Sequence, residues 1–185
     1  MKQFSKTLNR ISSARSFALA LTLYIIFVAG VMPWLAAFMP ETADGSEPID
    51  LLFAPRPEKL FALVDSYGAE GRNLYALFEL TADLIYPIIY ATFLAITLTL
   101  LARRLYGAQS RATIINIVPF GIVIADYLEN MGIVMLLMTY PEKISWAAWA
   151  TSFFNAAKWS LVGGTFALIV IGLVLLPFRR AERVA

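Results

Sequence analysis

The chain contains no cysteine and no histidine among its 185 residues. These two absences exclude disulfide bonds, thiolate nucleophiles, zinc sites built from Cys and His, haem held by axial His or Cys, and an imidazole general base. Charged residues are also scarce, since they make up 15% of the chain against roughly a quarter in an average soluble domain. Any chemistry must therefore use carboxylates, Lys, Tyr, Ser, Thr or amide side chains.

Long apolar runs dominate the sequence, of which 59% is hydrophobic. A membrane-spanning helix needs about 20 predominantly apolar residues, and four runs of at least that length occur at about 16–39, 73–102, 112–139 and 146–178. The first run is longer than the apolar core of a signal peptide, so we expect it to be retained. The chain is predicted to be an all-α integral membrane protein, with residues 1–185 in a single transmembrane domain. Short connections between the later runs predict an up-down bundle of four helices.

The basic residues divide unevenly between the two ends of such a bundle. Ten of the 15 Lys and Arg residues lie in the N-terminal tail, between the second and third runs, and in the C-terminal tail. The opposite end has four, diluted by seven acids between Glu41 and Glu70. The positive-inside rule then predicts a multi-pass protein of a bacterial inner membrane with both termini in the cytoplasm. Because topology explains the basic residues, the net charge of +2 gives no sign of nucleic-acid binding.

The long connection between the first and second runs divides into two parts. The first part, PETADGSEPID, is polar and rich in turn residues. The second begins at Pro57, which suits a first helical turn, and carries apolar residues at helical spacing as far as Tyr67, before Gly68. We therefore predict a helix at about 57–67 that lies flat at the outer surface of the membrane.

Proline and glycine residues are predicted to shape the helices within the runs. Pro87 and Pro119 are expected to kink the second and third helices. Gly163 and Gly164 are expected to let a neighbouring helix pack closely against the fourth. These roles are structural and imply no site.

Each of the last three runs carries one polar stripe at helical spacing. The stripes contain Glu79, Asp83, Tyr86 and Tyr90 in the second run, Asp126, Glu129 and Asn130 in the third, and Asn155 and Lys158 in the fourth. At about 1.5 Å of rise per residue, their ionisable members lie in one band roughly 10–20 Å below the outer surface. The stripes can therefore meet in the outer half of the bilayer.

Placing an ionisable side chain at this depth in the bilayer costs free energy. One such group at the bilayer centre costs on the order of 2.5–3.5 kcal/mol even on insertion scales, so these residues should face one another or a wet cavity. Four acids, Glu79, Asp83, Asp126 and Glu129, then surround one base, Lys158. Because like charges this close cannot all be ionised, we expect one or two of the acids to hold a proton.

The polar residues also fall into a pattern that resembles a family. The pattern is G-x-x-G-R-x-x-Y at 68–75, D-x-x-Y-P-x-x-Y at 83–90, D-x-x-E-N at 126–130, and the pair Lys158 and Trp159. Over about residues 50–165 the chain is similar to a broad family of small, mostly bacterial, four-span membrane proteins of unassigned function. The resemblance implies a four-helix fold and a common polar site, and it implies no reaction.

The first interpretation of this network is a site for a small or lipidic ligand. Catalysis there would use carboxylates as acid and base and the lysine to stabilise negative charge. The catalytic candidates are Asp83, Asp126, Glu129 and Lys158. The ligand-binding candidates are Glu79, Tyr86, Tyr90, Asn130, Asn155 and Trp159.

A transport unit and a structural partner protein are the alternatives. The oxygen-rich residues would suit a proton path or a hard divalent cation such as Ca²⁺ or Mg²⁺, although no cofactor is required. Four spans are few for a transporter, so transport would need a homo-oligomer. In the structural alternative, a bridge from Lys158 to Asp126 or Asp83 only holds the bundle together, because membrane helices associate through polar contacts. Membrane lipid is the expected partner under each interpretation.

Overall fold

The structure is a computed structural model that describes residues 2–38 and 48–184, with side chains described as far as Phe178. Its α-helices are α1 (Lys2–Ile11), α2 (Ala14–Ile26), α3 (Met32–Ala36), α4 (Pro57–Ser66), α5 (Gly68–Glu79), α6 (Ala82–Tyr106), α7 (Val118–Met138) and α8 (Ser145–Val184). A π-helical turn at Phe27–Val31 joins α2 to α3, and two 3₁₀-helical turns lie at Ile49–Leu51 and Arg111–Ile117. Most of the polar PETADGSEPID connection lies outside the described residues.

Within the described residues, four helical stretches are long and apolar enough to cross a membrane, namely Ala14–Ala36, Gly68–Tyr106, Arg111–Met138 and Ser145–Phe178. This confirms the predicted all-α fold with four spanning helices. The second and third spans run antiparallel, since Asp83 contacts Asn130 near one end and Thr99 contacts Asn116 near the other. The chain therefore passes up and down through one helical bundle.

The first span packs at the edge of the bundle against α6 through aromatic rings. Phe17 and Tyr24 lie against Phe93, with ring centroids 5.7 and 5.2 Å apart. Phe27 stacks on Tyr86 at 6.2 Å. Only 6% of the most apolar window of this span is buried. Most of its surface is therefore left for lipid.

The N-terminal residues form a helix, α1, where the sequence predicts only a basic tail. The Arg103 guanidinium donates through Nη1 to the Ser12 carbonyl at 2.6 Å, which ties the end of α1 to the end of α6. At the same end of the bundle, Gly172 of α8 lies against Leu101. The N-terminal tail, the α6–α7 connection and the far part of α8 thus share one end, as the charge distribution requires.

The second span is broken, although the sequence predicts one helix at 73–102. Helix α5 ends at Glu79 and α6 begins at Ala82, with Thr81 at φ −127° and ψ −80°, outside the helical region. The Thr81 hydroxyl donates to the Leu77 carbonyl at 2.6 Å, and such a side chain competes with the backbone for helical hydrogen bonds. Helix α6 alone is about 37 Å long and can span the bilayer. Helix α5 therefore belongs to a separate outer layer.

This outer layer, the outer cap, comprises the segment 48–56 together with α4 and α5. Its helix α4 covers most of the helix predicted at about 57–67. Ile49, Leu60 and Tyr75 of the cap are at most 2% exposed and belong to one apolar core with Ile133 of α7 and Ala148 of α8. The cap therefore covers the end of the bundle where α7 stops and α8 starts.

The predicted roles of Pro119 and of the glycine pair are wrong. Pro119 lies in the first turn of α7, where proline is tolerated, so it begins the helix and does not kink it. A Cβ atom added at Gly163 or Gly164 would meet nothing within 4 Å. One added at Gly132 would lie 2.2 Å from the Thr151 hydroxyl oxygen. The close approach of α7 and α8 is therefore at Gly132.

The substitution Gly132→Ala is expected to destabilise the protein by about 1–3 kcal/mol, the usual cost of overpacking. Thr151 is stiff because it is β-branched, and its hydroxyl donates to the Ala147 carbonyl at 2.9 Å. Thermal unfolding of the purified protein in detergent measures the loss. Gly163→Ala and Gly164→Ala are matched controls in open surroundings and should keep the wild-type Tm or raise it. A Tm for Gly132→Ala equal to theirs would contradict the close approach.

Candidate functional site

The three predicted polar stripes meet between the outer cap and helices α6, α7 and α8. Seven of their side chains are at most 7% exposed, namely Glu79, Asp83, Asp126, Glu129, Asn130, Asn155 and Lys158. Glu79 and Asp83 come together because the break at residues 80–81 leaves one at the end of α5 and the other at the start of α6. The protein therefore holds a buried network of Lys, Asp and Glu side chains.

Lys158 lies at the centre of this network and has three acceptors. Its Nζ is 2.7 Å from Glu129 Oε2 and 3.3 Å from Asp126 Oδ1, both on α7. It also donates to the Asp50 main-chain carbonyl at 3.1 Å. An ammonium group has three N–H donors, so Lys158 is fully used. The predicted bridge to Asp126 is present, while Asp83 is engaged by an amide.

Three further hydrogen bonds connect this centre to the helices around it. Each joins side chains of two different helices: Tyr90 Oη donates to Asp126 Oδ2 at 2.7 Å, Asn130 Nδ2 to Asp83 Oδ2 at 2.7 Å, and Asn155 Nδ2 to Glu129 Oε1 at 2.8 Å. Interhelical hydrogen bonds of this kind contribute about 0.6–2 kcal/mol each inside a membrane. The network therefore holds α6, α7 and α8 together.

A contribution that sequence reasoning missed comes from the segment 48–56 of the outer cap. The Asp50 carbonyl accepts from Lys158 and also from Trp159 Nε1, the latter at 3.2 Å. The Asp50 carboxylate accepts from the Tyr75 hydroxyl at 2.7 Å. A fifth acid thus reaches the site. The available signal is the apolar run ILLF, interrupted by this aspartate, between Pro48 and Pro55.

Side chains of α8 hold the rest of the segment 48–56 in place by hydrogen bonds to the segment's main-chain atoms. Asn155 Nδ2 donates to the Leu52 carbonyl at 2.8 Å, and its Oδ1 accepts from the Ala54 N–H at 2.6 Å. Ala54 has φ of 46°, a left-handed conformation that residues other than glycine seldom adopt. The Ser152 hydroxyl donates to the Pro55 carbonyl. Asn155 and Trp159, predicted to contact a ligand, therefore contact the protein's own main chain in this structure.

Two predicted site residues have aromatic surroundings. The Tyr86 ring lies between Phe27, at 6.2 Å, and Tyr90, at 5.2 Å. Tyr90 in turn donates to Asp126, as described above. Tyr86 is therefore connected to the network through Tyr90 and to the first span through Phe27.

Glu79 differs from the other acids of the network. It is 1% exposed, and neither carboxylate oxygen has a hydrogen-bond partner among the described residues. A buried polar group without a partner costs free energy, and native proteins contain few of them. Glu79 makes no hydrogen bond to another helix among the described residues, so helix association does not explain why a buried acid is present at this position.

No group of three or more acidic side chains in the described residues is arranged to hold a metal ion. The hard divalent cation stays a prediction. Comparison of the chain with protein-family models, with curated proteins and with solved structures gives no match. The resemblance to a bacterial four-span family therefore also stays a prediction, and the site has to be interpreted from its own geometry.

Removal of the central base is expected to be strongly destabilising. Lys158→Met leaves Glu129 and Asp126 buried without their counter-ion, and breaking a buried pair on one side costs about 3–5 kcal/mol. Adding Glu129→Gln and Asp126→Asn to the same chain should recover roughly half of this loss or more, because no unpaired charge is then left on α7. The Tm values of the single and triple variants in detergent measure both effects. A single variant as stable as wild type would show that the ion pairs do not hold the bundle.

Proposed function

We propose that the buried polar network of this membrane protein binds a small or lipidic ligand. The observation that supports the proposal is Glu79. Lys158, Asp126 and Glu129 already join α7 to α8, and Tyr90 joins α6 to α7. A purely structural network would gain nothing from a further buried acid without a donor. Glu79 is accounted for if a ligand supplies that donor.

The outer cap supports the same proposal. Its segment 48–56 lies directly on Lys158 and Trp159 and is attached to α8 by hydrogen bonds to main-chain atoms. A typical hydrogen bond contributes only about 0.5–1.5 kcal/mol net, because water or a ligand can replace it. An acceptor group on a ligand can therefore exchange with the Asp50 carbonyl. The proposed site lies beneath this segment.

The structural alternative is supported by Lys158, whose hydrogen-bond donors are all used within the protein. All three of its N–H donors have acceptors, on α7 and on the cap. Such an arrangement holds three parts of the chain in place without any ligand. If the network only holds these parts together, the protein is an assembly partner, and the burial of Glu79 lowers its stability without serving a function.

Catalysis and transport would both use the same carboxylates that the proposed ligand contacts. Tyr90 and Lys158 fix the position of the Asp126 carboxylate, and Asn130 fixes Asp83, as a positioned acid and base would require. Glu129 is held by Lys158 in the same way. A proton or cation path through the same carboxylates would need a homo-oligomer, because four spans enclose little space.

The proposal is tested by native mass spectrometry of wild type beside Asp126→Asn, both purified in mild detergent. Asp126 is the farther partner of Lys158, at 3.3 Å against 2.7 Å for Glu129, so this variant should keep most of its stability. We expect a specific adduct on wild type whose affinity falls about tenfold or more in the variant, equivalent to about 1.4 kcal/mol.

Glu70→Gln is the matched control for that experiment, since it removes one exposed carboxylate from α5. It should retain the adduct at the wild-type level. No adduct on any of the three proteins, together with a lowered Tm for Asp126→Asn, would instead favour the structural alternative. The adduct mass identifies the ligand.

We further propose that the protein lies in a bacterial inner membrane with both termini in the cytoplasm. The support is the collection of basic residues at the end that contains α1 and the α6–α7 connection. Single cysteines test the orientation cleanly, because the chain has none of its own. Gln109→Cys should react with a membrane-impermeant maleimide only in opened cells. Glu142→Cys, exposed beyond α7, should react in intact spheroplasts, and the opposite result would invert the topology.

A further inference from the structure

We infer that Glu79 and Asn130 form a subsite for an ammonium group of the ligand. The inference rests on the proposed binding function and adds a chemical class to it. It follows from three properties of the site: which atoms are left unpaired, how the amide of Asn130 is oriented, and how the charges balance.

The unpaired buried atoms around Asp83 are all acceptors. They are the two carboxylate oxygens of Glu79 and the amide oxygen Oδ1 of Asn130, neither residue being more than 4% exposed. The nearby donors are all engaged, since Lys158 has three acceptors and Tyr90 donates to Asp126. A group that satisfies this subsite must therefore bring hydrogen-bond donors.

The orientation of the Asn130 amide is set by its neighbour. Its Nδ2 donates to the Asp83 carboxylate at 2.7 Å and to the Asp83 carbonyl at 3.3 Å. Both partners are acceptors, so the nitrogen must face them and the oxygen must face away. Glu79 lies four residues before Asp83, on the other side of the short break between α5 and α6. The unpaired oxygens of Asn130 and Glu79 thus belong to the same acidic neighbourhood.

The charge balance selects a cationic donor over a neutral one. Five acids reach the network, namely Asp50, Glu79, Asp83, Asp126 and Glu129, and Lys158 is the one base in it among the described residues. A hydroxyl or an amide could donate hydrogen bonds, but the acids would then have to be neutralised by protons, as expected above for one or two of them. An ammonium group supplies a positive charge and up to three donors together. A metal ion is a poorer fit, because no three acids in the described part of the chain are grouped to hold one.

The break between α5 and α6 gives such a group a way in from either side. Because α6 alone can span the bilayer, the break lies at the outer end of the second span, at the level of the lipid headgroups. Glu79 ends α5 directly before the break, and Leu77 and Leu80 beside it are 58% and 56% exposed. The ammonium group can therefore come from a lipid headgroup or from a soluble amine that enters beneath the outer cap.

The test uses wild type, Glu79→Gln, Glu70→Gln and Asp126→Asn in lipid nanodiscs. One set of discs contains phosphatidylethanolamine in a phosphatidylcholine and phosphatidylglycerol background. The other set lacks phosphatidylethanolamine and receives spermidine. Native mass spectrometry counts retained phosphatidylethanolamine, and calorimetry gives the spermidine Kd. We expect Glu79→Gln to weaken binding of the favoured amine by on the order of 30-fold or more, as for loss of one partner of a buried charge pair, and Glu70→Gln to leave it unchanged.

Retention of phosphatidylethanolamine alone identifies a lipid headgroup, and binding of spermidine alone identifies a soluble amine; each supports the inference. Equal amine binding by wild type and Glu79→Gln overturns it. A different adduct that is lost in Asp126→Asn but kept in Glu79→Gln overturns the ammonium subsite and leaves the proposed function standing. No adduct on any variant overturns both.

A second measurement on the wild-type protein needs no variant to fold. Spermidine is compared with a neutral polyether of the same length, and phosphatidylethanolamine with its trimethylated form, phosphatidylcholine, which has no N–H donor. The ammonium inference requires the amine with N–H donors to bind at least about tenfold more tightly in the pair concerned. Equal binding of the neutral or fully methylated compound rejects it.

Discussion

The structure depends on the need of one buried ammonium group for three acceptors. Lys158 lies deep in an apolar bundle, where an ion without partners costs several kcal/mol. Two acceptors come from α7, as Glu129 and Asp126, and the third is the main-chain carbonyl of Asp50. Loss of any of the three would leave an N–H donor of a buried ammonium group unpaired. The position of α7 and the inward course of the segment 48–56 are therefore linked to a single side chain on α8.

Hydrophobic length was enough to predict the four spans, because each apolar run exceeds what the bilayer requires. It could not reveal the break in the second span. Leu80 and Thr81 are ordinary residues within a continuous apolar run, and neither proline nor glycine marks the interruption. Beyond the break, α5 packs through Tyr75 and Ala76 against Ile133 of α7, and such tertiary contacts are not visible in the sequence. Gly132 and Gly163 show the same limit, because only the structure tells which glycine faces a neighbouring helix.

The candidate site was partly predictable for a similar reason. Helical spacing placed the carboxylates and Lys158 on facing stripes at one depth, but spacing does not choose among partners. In the structure, Glu129 is the closer ion-pair partner of Lys158, and Asn130 donates a hydrogen bond to Asp83. The segment 48–56 escaped prediction because it contributes mainly carbonyl oxygens, which every residue has and no sequence pattern records. Side-chain types can therefore locate a polar site, whereas main-chain ligands appear only once the chain is folded.

The balance of donors and acceptors separates the structural from the functional part of the network. Around Lys158, donors and acceptors match in number, as expected for contacts whose role is to hold helices together. Around Glu79 they do not match, because the unpaired atoms found there in the described part of the chain are the two Glu79 carboxyl oxygens and Asn130 Oδ1. The proposed ammonium subsite would supply the hydrogen-bond donors that Glu79 and Asn130 lack.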